Sequence, residues 1–306
     1  MPSLPRLNRR HASIALAGTV AFLVLAGPAG AALPRGGADF GGGSPRFARA
    51  YFAPESVSIH TAPSGRTLRY LAHMGPIDCG GTTRVASKGI QVSAEGQFSD
   101  SGPIRNLNSG KKIGTYEIHG TFTDPLHARG TLRATQERSQ NGQTQTCHTT
   151  LVKWRAVSPQ AGVGSGELEG GTSYYGHNSQ RSDLGGIKLP FLLKVKPDAK
   201  SLAVLATETE NTCPGHPEFD RVVSGGFVVG EAPIKDGAFH GGGPLSETKR
   251  VNGHRYRIHT KVSFSGRFGR HRVTGTWRTD VDVYRKSNGA HVASCPGSKL
   301  SWAAAK

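Results

Sequence analysis

The sequence predicts an all-β protein made of two tandem antiparallel β-sandwich domains, of jelly-roll or related topology, each with one disulfide. Three observations support this prediction. Apolar and polar residues alternate with period two over much of the chain, a phrase with one cysteine and one tryptophan occurs twice, and glycine and proline interrupt the alternating segments. Alternation of this kind places successive side chains on opposite faces of a strand, one buried and one solvated.

The alternation is clearest in the second half of the chain. From Tyr256 to Phe268 every second residue is apolar, threonine or glycine, and the residues between them are polar or charged. The segment from Val273 to Val283 continues the pattern, and Tyr116 to Phe122 shows it in the first half. No run of helical periodicity follows residue 31. We therefore expect strands joined by turns, as in antiparallel sandwiches.

The repeated phrase indicates an internal duplication. Cys147 to Trp154 and Cys295 to Trp302 each place six residues between the cysteine and the tryptophan, and an alanine follows two positions later. Further matched landmarks occur in the same order: Leu68 with Leu202, Glu95–Phe98 with Asp236–Phe239, Gly120–Phe122 with Gly266–Phe268, and Gly130–Arg133 with Gly275–Arg278. A series of landmarks in constant order is typical of a repeated structural unit. We interpret the tryptophans as core residues of that unit.

The cysteine spacing favours disulfides over a metal site. The chain has four cysteines, and none of them forms the close pair that zinc sites use. Three pairings are possible on paper, and the repeat favours Cys79 with Cys147 and Cys213 with Cys295. Such long crosslinks are worth about 4 kcal/mol each in the chain-entropy model. We expect no metal and no cofactor.

The first residues are typical of an export signal. Arg6, Arg9 and Arg10 precede an apolar stretch from Ala12 to Ala26, and small residues follow up to Ala31. We predict cleavage after Ala31, with an uncleaved anchor as the alternative. No second apolar stretch is long enough to span a membrane. The expected location is extracellular, including association with the cell wall, where disulfides persist.

The predicted organisation has five segments. Residues 1–31 are the signal peptide, 32–47 a flexible glycine-rich leader, 48–157 the first sandwich module, 158–171 a linker, and 172–306 the second module. The leader and the linker are assigned from their glycine content. Each module is long enough to bury its own core.

These landmarks resemble those of uncharacterised exported β-rich proteins of high-GC Gram-positive bacteria. Those proteins carry a G-x-F turn, a G-x-L strand and a late C-x6-W-x-A strand, often in tandem. The resemblance covers most of residues 48–304. It implies a secreted β fold, and it transfers no catalytic residue and no substrate.

Charge provides the main indication of function. The chain has a formal net charge of +17, and loss of three arginines with the signal leaves +14. From Lys249 to Arg278 the sequence contains basic residues and no acid. The predicted binding face consists of Lys249, Arg255, Arg257, Lys261, Arg267, Arg270 and Arg272. A basic sheet face attracts anionic polymers such as cell-wall polymers or acidic glycans, and the alternative is a solubilising surface in an arginine-rich protein.

Catalytic signatures are sparse. Asp280 and Asp282 lie two residues apart, which places both on one face of a strand. A secreted hydrolase acting on polysaccharide would need such paired acids and is the second hypothesis. A purely structural or adhesive pair of domains is the third. We expect a non-enzymatic protein that binds an anionic polymer.

Overall fold

The computed structural model describes residues 32–44, 55–106, 110–140, 143–149, 151–160, 162–182, 186–220, 224–297 and 299–306. The predicted signal peptide lies outside the described residues. Within them, the elements of regular structure are β-strands and one 3-10 helix, Pro217–Phe219. The all-β class predicted from the alternation is confirmed.

The first module contains ten strands. They are β1 (Asp39–Gly43), β2 (Ser56–Thr61), β3 (Thr67–Pro76), β4 (Thr82–Ser87), β5 (Ile90–Gln91), β6 (Gln97–Arg105), β7 (Lys112–Asp124), β8 (His127–Gln140), β9 (Gln143–His148) and β10 (Val152–Val157).

The second module also contains ten. They are β11 (Ser173–Arg181), β12 (Lys188–Val195), β13 (Ser201–Thr209), β14 (Gly225–Val229), β15 (Ala232–Lys235), β16 (Ala238–Val251), β17 (His254–Arg267), β18 (Val273–Arg285), β19 (His291–Cys295) and β20 (Leu300–Ala305).

The two modules share one topology. In the first, strands pair in the order β4-β3-β2-β1-β10-β8-β7-β6, with β5 beside β3 and β9 beside β8. In the second, β12-β11-β20-β18-β17-β16 follows the same path, with β19 beside β18 and β15 beside β13. Every ladder is antiparallel. The duplication read from a few landmarks therefore extends over the whole strand order.

The strand pairing differs from the predicted sandwich arrangement. A sandwich has two separate sheets packed face to face, whereas the ten strands of each module are joined in one continuous sheet. In the second module the order continues from β16 through β15 to β13. Because β13 also pairs with β12, the strand at the start of the order, that sheet closes on itself. In the first, β5 pairs with β3 and also contacts β6. Period-two alternation cannot separate these cases, because a strand with one buried face shows it in both.

The matched landmarks occupy matched positions in the ladders. Phe98, Gly120, Gly130 and Trp154 stand in one row across β6, β7, β8 and β10. The second module repeats that row with Phe239, Gly266, Gly275 and Trp302. A Cβ added at any of the four glycines would overlap one of these aromatic rings. The glycines thus leave the space into which the phenylalanine and tryptophan rings pack.

The tryptophans are core residues, as predicted. Trp154, Trp277 and Trp302 are exposed by 1%, 0% and 3%. Trp302 stacks on Phe191 with ring centroids 4.0 Å apart. Burial of such large rings is a major part of the stabilisation that each module gains.

The predicted disulfide pairing is confirmed, with Cys79 bonded to Cys147 and Cys213 to Cys295. The Cys-x6-Trp phrase is not the single strand that the resemblance implied. Cys147 lies in β9 and Cys295 ends β19, whereas the tryptophans lie in β10 and β20. Both strands of each phrase pair with the same neighbour, β8 in the first module and β18 in the second.

The segment predicted as a flexible leader contains a central strand. Asp39–Gly43 forms β1 between β2 and β10, and Phe40 is completely buried. Gly42 faces Ala156 as Gly176 of β11 faces Ala304, so β1 is the counterpart of β11. Glycine content suggested flexibility, but these glycines are extended strand residues in close packing.

The modules pack against each other through β1 and β2 on one side and β11 and β12 on the other. Val157, Tyr175, Leu192, Ala206 and Ala305 form an apolar cluster across this boundary. A Cβ at Gly41 would overlap the carbonyl of Gly176, so glycine is required for this approach. Residues 158–160 and 162–171 of the predicted linker contain no strand.

Candidate functional site

Strand β17 carries the central part of the predicted basic face. Arg255, Arg257, Lys261 and Arg267 are all exposed. Their side chains share the outer face because the alternate residues, from Tyr256 to Phe264, are buried in the module. The period-two prediction of this face is therefore correct for these four residues.

The other three predicted residues lie elsewhere. Lys249 pairs directly with Tyr256 in the ladder, which places its side chain on the opposite face, where it forms an ion pair with Glu247 at 2.9 Å. Arg270 and Arg272 lie between β17 and β18, and the carbonyl of Arg270 accepts a hydrogen bond from the amide of Gly166. The alternation ends at the turn, so it did not predict their positions.

Acidic residues divide the basic face in the middle. Lys261 is opposite Asp280 and His259 is opposite Asp282 on β18. Arg255 and Arg267 are twelve positions apart, roughly 40 Å along an extended strand, with these carboxylates between them. The face is therefore two cationic ends separated by a stretch of mixed charge.

The strongest cationic end is the β16–β17 hairpin. Arg250 and Arg255 are directly opposed in the ladder, and Arg257 follows on the same face opposite Thr248. All three arginines are exposed. Opposed like charges destabilise a sheet pair, so this arrangement is unfavourable until an anion neutralises it.

The acid pair does not have the chemistry of a glycosidase site. Asp280 accepts hydrogen bonds from Arg278 at 2.9 to 3.1 Å, and these bonds are the main cause that lowers the pKa of Asp280. A general acid needs a raised pKa. Asp282 accepts from the hydroxyl of Ser294 at 2.6 Å. Both carboxylates line an open depression of about 430 Å³ on the outer face, as part of a solvated ion network.

A larger concave surface lies in the first module, and sequence reasoning missed it. We call it the β6–β10 groove. It has a volume of about 1170 Å³, and residues 88–93 form one wall. Its floor consists of outer-face positions of β6, β7, β8 and β10.

The floor of the groove is ordered in two rows. One row contains Ser99, His119, Thr131 and Lys153, and the other contains Gln97, Thr121, Arg129 and Arg155. Between them lies the row of Phe98, Gly120, Gly130 and Trp154, in which the glycines have no side chain and the two rings are buried in the core. Four cations, Lys88, Arg129, Lys153 and Arg155, line the groove, and all are exposed.

The second module has a different charge pattern on the matched strands, with Arg267 at the position of Thr121. The positions matched to Lys153 and Arg155 are Ser301 and Ala303, which flank Trp302 in β20. The position matched to Arg129 is Thr274. The sequence contains this difference in the two Cys-x6-Trp phrases, which end in Lys-Trp followed by Arg in the first module and in Ser-Trp followed by Ala in the second.

A third polar cluster lies at the boundary between the modules. Glu208 of β13 accepts a hydrogen bond from Ser56 and pairs with Arg84 at 3.4 Å. Burial raises the pKa of Glu208, and Arg84 opposes that shift. Asp39 pairs with His60 at 2.8 Å and with Arg181 of the second module at 3.1 Å. These contacts join the modules and need no ligand.

Metal ligation has little support in the described ranges. The group of close ligand atoms found there is Asp78, Cys79 and Cys147. Both sulfur atoms belong to the same disulfide, so they are not thiolates that could hold a metal. His119 and His259 lie on matched strands, but at different positions, and His119 is paired with Glu117 at 2.8 Å.

Comparison of the chain with protein families, with curated proteins and with solved structures gave no match. In the part of the chain that the structure describes, no helix has the length and apolar character needed to cross a bilayer. Two disulfides are compatible with an oxidising, extracellular setting. Any functional conclusion therefore depends on the charge and geometry of the two basic surfaces.

Proposed function

We propose that the protein is exported and binds an anionic polymer, a cell-wall polymer or an acidic glycan, through the basic outer face of the second module. The observation that carries this proposal is the opposed pair Arg250 and Arg255 with Arg257 beside it on the β16–β17 hairpin. Clustered cations attract a polyanion at long range and release its counterions on contact.

The geometry favours a polymer over a small ligand. The cations of β17 follow an extended, exposed strand, and the depression beside Lys261 is open, whereas small-molecule sites are enclosed and mainly apolar. Cations at both ends of the strand, Arg257 and Arg267, suit a ligand that is itself long and repeatedly charged. The acidic middle of the face reduces the contact there, so we assign most of the affinity to the hairpin end.

Export is the second part of the proposal. An N-terminal segment with signal-peptide character and two disulfides in the folded modules both support it. Cell-wall retention is proposed from the net charge, because cell-wall polymers and acidic glycans are anionic.

The test is retention on heparin, together with binding of a short DNA duplex measured over a range of salt concentrations. We expect retention at low salt and a linear fall of log K with log salt. The change Arg255→Gln with Arg257→Gln should reduce the magnitude of that slope by about 2, one per lost phosphate contact.

The matched control is Lys200→Gln with Lys235→Gln. Both lysines are exposed in the same module, and the change in net charge is equal. If the control reduces the slope as much as the hairpin variant, the charge acts without a defined face. If the unmodified protein passes through heparin at low salt, the proposal is wrong.

A further inference from the structure

The β6–β10 groove of the first module has the composition of a ligand site, and it is separate from the hairpin of the second module. Arg129 and Arg155 are directly opposed in the β8–β10 ladder and both are exposed. Among the described residues no carboxylate forms an ion pair with Arg129, Arg155, Lys153 or Lys88. Asp100 also lines the groove, where it accepts a hydrogen bond from Tyr116 at 2.6 Å. Opposed cations without an ion-pair partner are costly for the empty protein, and an anion relieves that cost.

Hydroxyl groups make up the rest of the floor. In the described part of the chain, the side chains of Ser99, Thr121 and Thr131 have no hydrogen-bond partner. The threonine matched to Thr131 in the second module, Thr276, is instead bonded to Ser265 at 3.0 Å. The groove thus presents a hydroxyl group that can bond a ligand, whereas the matched hydroxyl of the second module already bonds to Ser265.

The aromatic rings at the groove point away from it. Phe98 and Trp154 contribute to its lining, but they are only 5% and 1% exposed, because their rings pack into the core over Gly120 and Gly130. Proteins that bind single-stranded nucleic acid stack its bases on exposed aromatic rings. Without that platform, the groove suits a ligand that combines negative charge with many hydroxyl groups.

We infer that the β6–β10 groove binds a segment of an acidic polysaccharide, with Arg129, Lys153 and Arg155 on its sulfates or carboxylates and the floor hydroxyls on its sugar hydroxyls. This rests on the proposed function and adds a substrate class and a second site. The hairpin of the second module captures polyanions by charge, and the groove selects those built from sugars.

The first experiment measures binding of a size-defined heparin oligosaccharide at fixed salt. Arg129→Gln with Lys153→Gln should weaken it by on the order of tenfold or more, because charge-assisted hydrogen bonds are lost. Both residues are exposed, so the variant should fold at least as stably as the unmodified protein, as its unfolding midpoint will check. Arg255→Gln with Arg257→Gln is the comparison variant, in which the groove is intact.

The second experiment separates sugar recognition from charge. Thr131→Val removes one floor hydroxyl and keeps the shape and charge, and it should weaken oligosaccharide binding several-fold. It should leave binding of poly-glutamate and oligothymidine unchanged. Thr276→Val is the matched control, and it should have no effect on any of the three probes.

The outcomes are distinguishable. If the oligosaccharide binds and only the hairpin variant weakens it, the groove inference is wrong and the proposed function stands. If Thr131→Val is neutral and the groove variant weakens all three probes equally, the groove is a general anion site and the assignment to sugars is wrong. If none of the probes binds the unmodified protein, both proposals fail together.

Discussion

His73 is a buried histidine whose replacement should stabilise the protein and reduce its sensitivity to acid. It lies in β3 between Val57 and Val85, which are both buried. The side chain is 1% exposed, and neither ring nitrogen has a hydrogen-bond partner in the described residues. Burial lowers the pKa of His73 from 6.5 to about 4, because the charged imidazolium loses its hydration.

The pKa shift determines the sign of the pH effect. Since the folded-state pKa lies below the unfolded-state value, the unfolded chain binds more protons between pH 6.5 and 4. Stability contributed by neutral His73 is therefore complete above pH 6.5 and is lost as the pH falls toward 4. With these two values the loss is about 2 kcal/mol at pH 5 and about 3 kcal/mol below pH 4.

His73→Leu removes this proton linkage and two unsatisfied polar atoms with a side chain of similar volume. We expect the free energy of unfolding at pH 7 to rise by about 1–3 kcal/mol. Between pH 7 and pH 5 the variant should lose about 2 kcal/mol less than the unmodified protein. Urea titrations at the two pH values measure both quantities, with a common slope m as the check for two-state unfolding.

The controls address the other titrating groups. His177 also has a pKa lowered to about 4, mainly by burial and also by Lys188, so some acid sensitivity will remain. The informative quantity is the difference in stability loss between the variant and the unmodified protein, because the contribution of His177 is the same in both. His254→Leu, an exposed change at the first residue of β17, should alter neither value. If His73→Leu loses as much stability at pH 5 as the unmodified protein does, the buried neutral imidazole is not the cause and the reasoning is refuted.

Three further changes test the packing and the charge. Gly275→Ala should destabilise the second module by about 1–3 kcal/mol, because its Cβ would overlap the carbonyl oxygen of Ser265 and the ring of Trp302. Thermal unfolding measures this loss, and a neutral result would contradict the close packing of the aromatic–glycine row. Gly41→Ala should loosen the contact between the modules and increase limited proteolysis at the boundary, whereas Gly230→Ala, which meets open space, should not. Arg129→Gln should raise stability by about 0.2–1 kcal/mol at low salt by removing one of two opposed like charges, and that gain should shrink in high salt; a loss of stability would show that Arg129 has a structural partner.

The sequence predicted the features that depend on neighbouring residues or on the comparison of the two copies, and it did not predict those that depend on strand register. The face of Arg257 followed from alternation, because side-chain direction in a strand depends only on neighbouring residues. The disulfide pairing followed from the duplication, because two copies of one module place their cysteines alike. Lys249 was assigned wrongly to that face, since its direction depends on the register with Tyr256 across the hairpin.

The leader shows why composition alone can mislead. Gly41–Gly43 has the composition of a flexible segment, yet it forms a strand packed on three sides. The signal that was missed is an aromatic residue two positions before a glycine, as Phe40 precedes Gly42 and Tyr174 precedes Gly176. That signal has meaning only once the two strands are known to be equivalent.

By itself, the sequence determined the β class, the duplication, the disulfide pairs and the outward face of β17, because each depends on local period or on comparison of the two copies. Only the tertiary structure decided how the strands close and where the cations gather. Arg129 and Arg155 are far apart in the chain and become neighbours through the β8–β10 ladder. A groove is a property of strand register and sheet curvature, and these are set by contacts between residues that no local pattern connects.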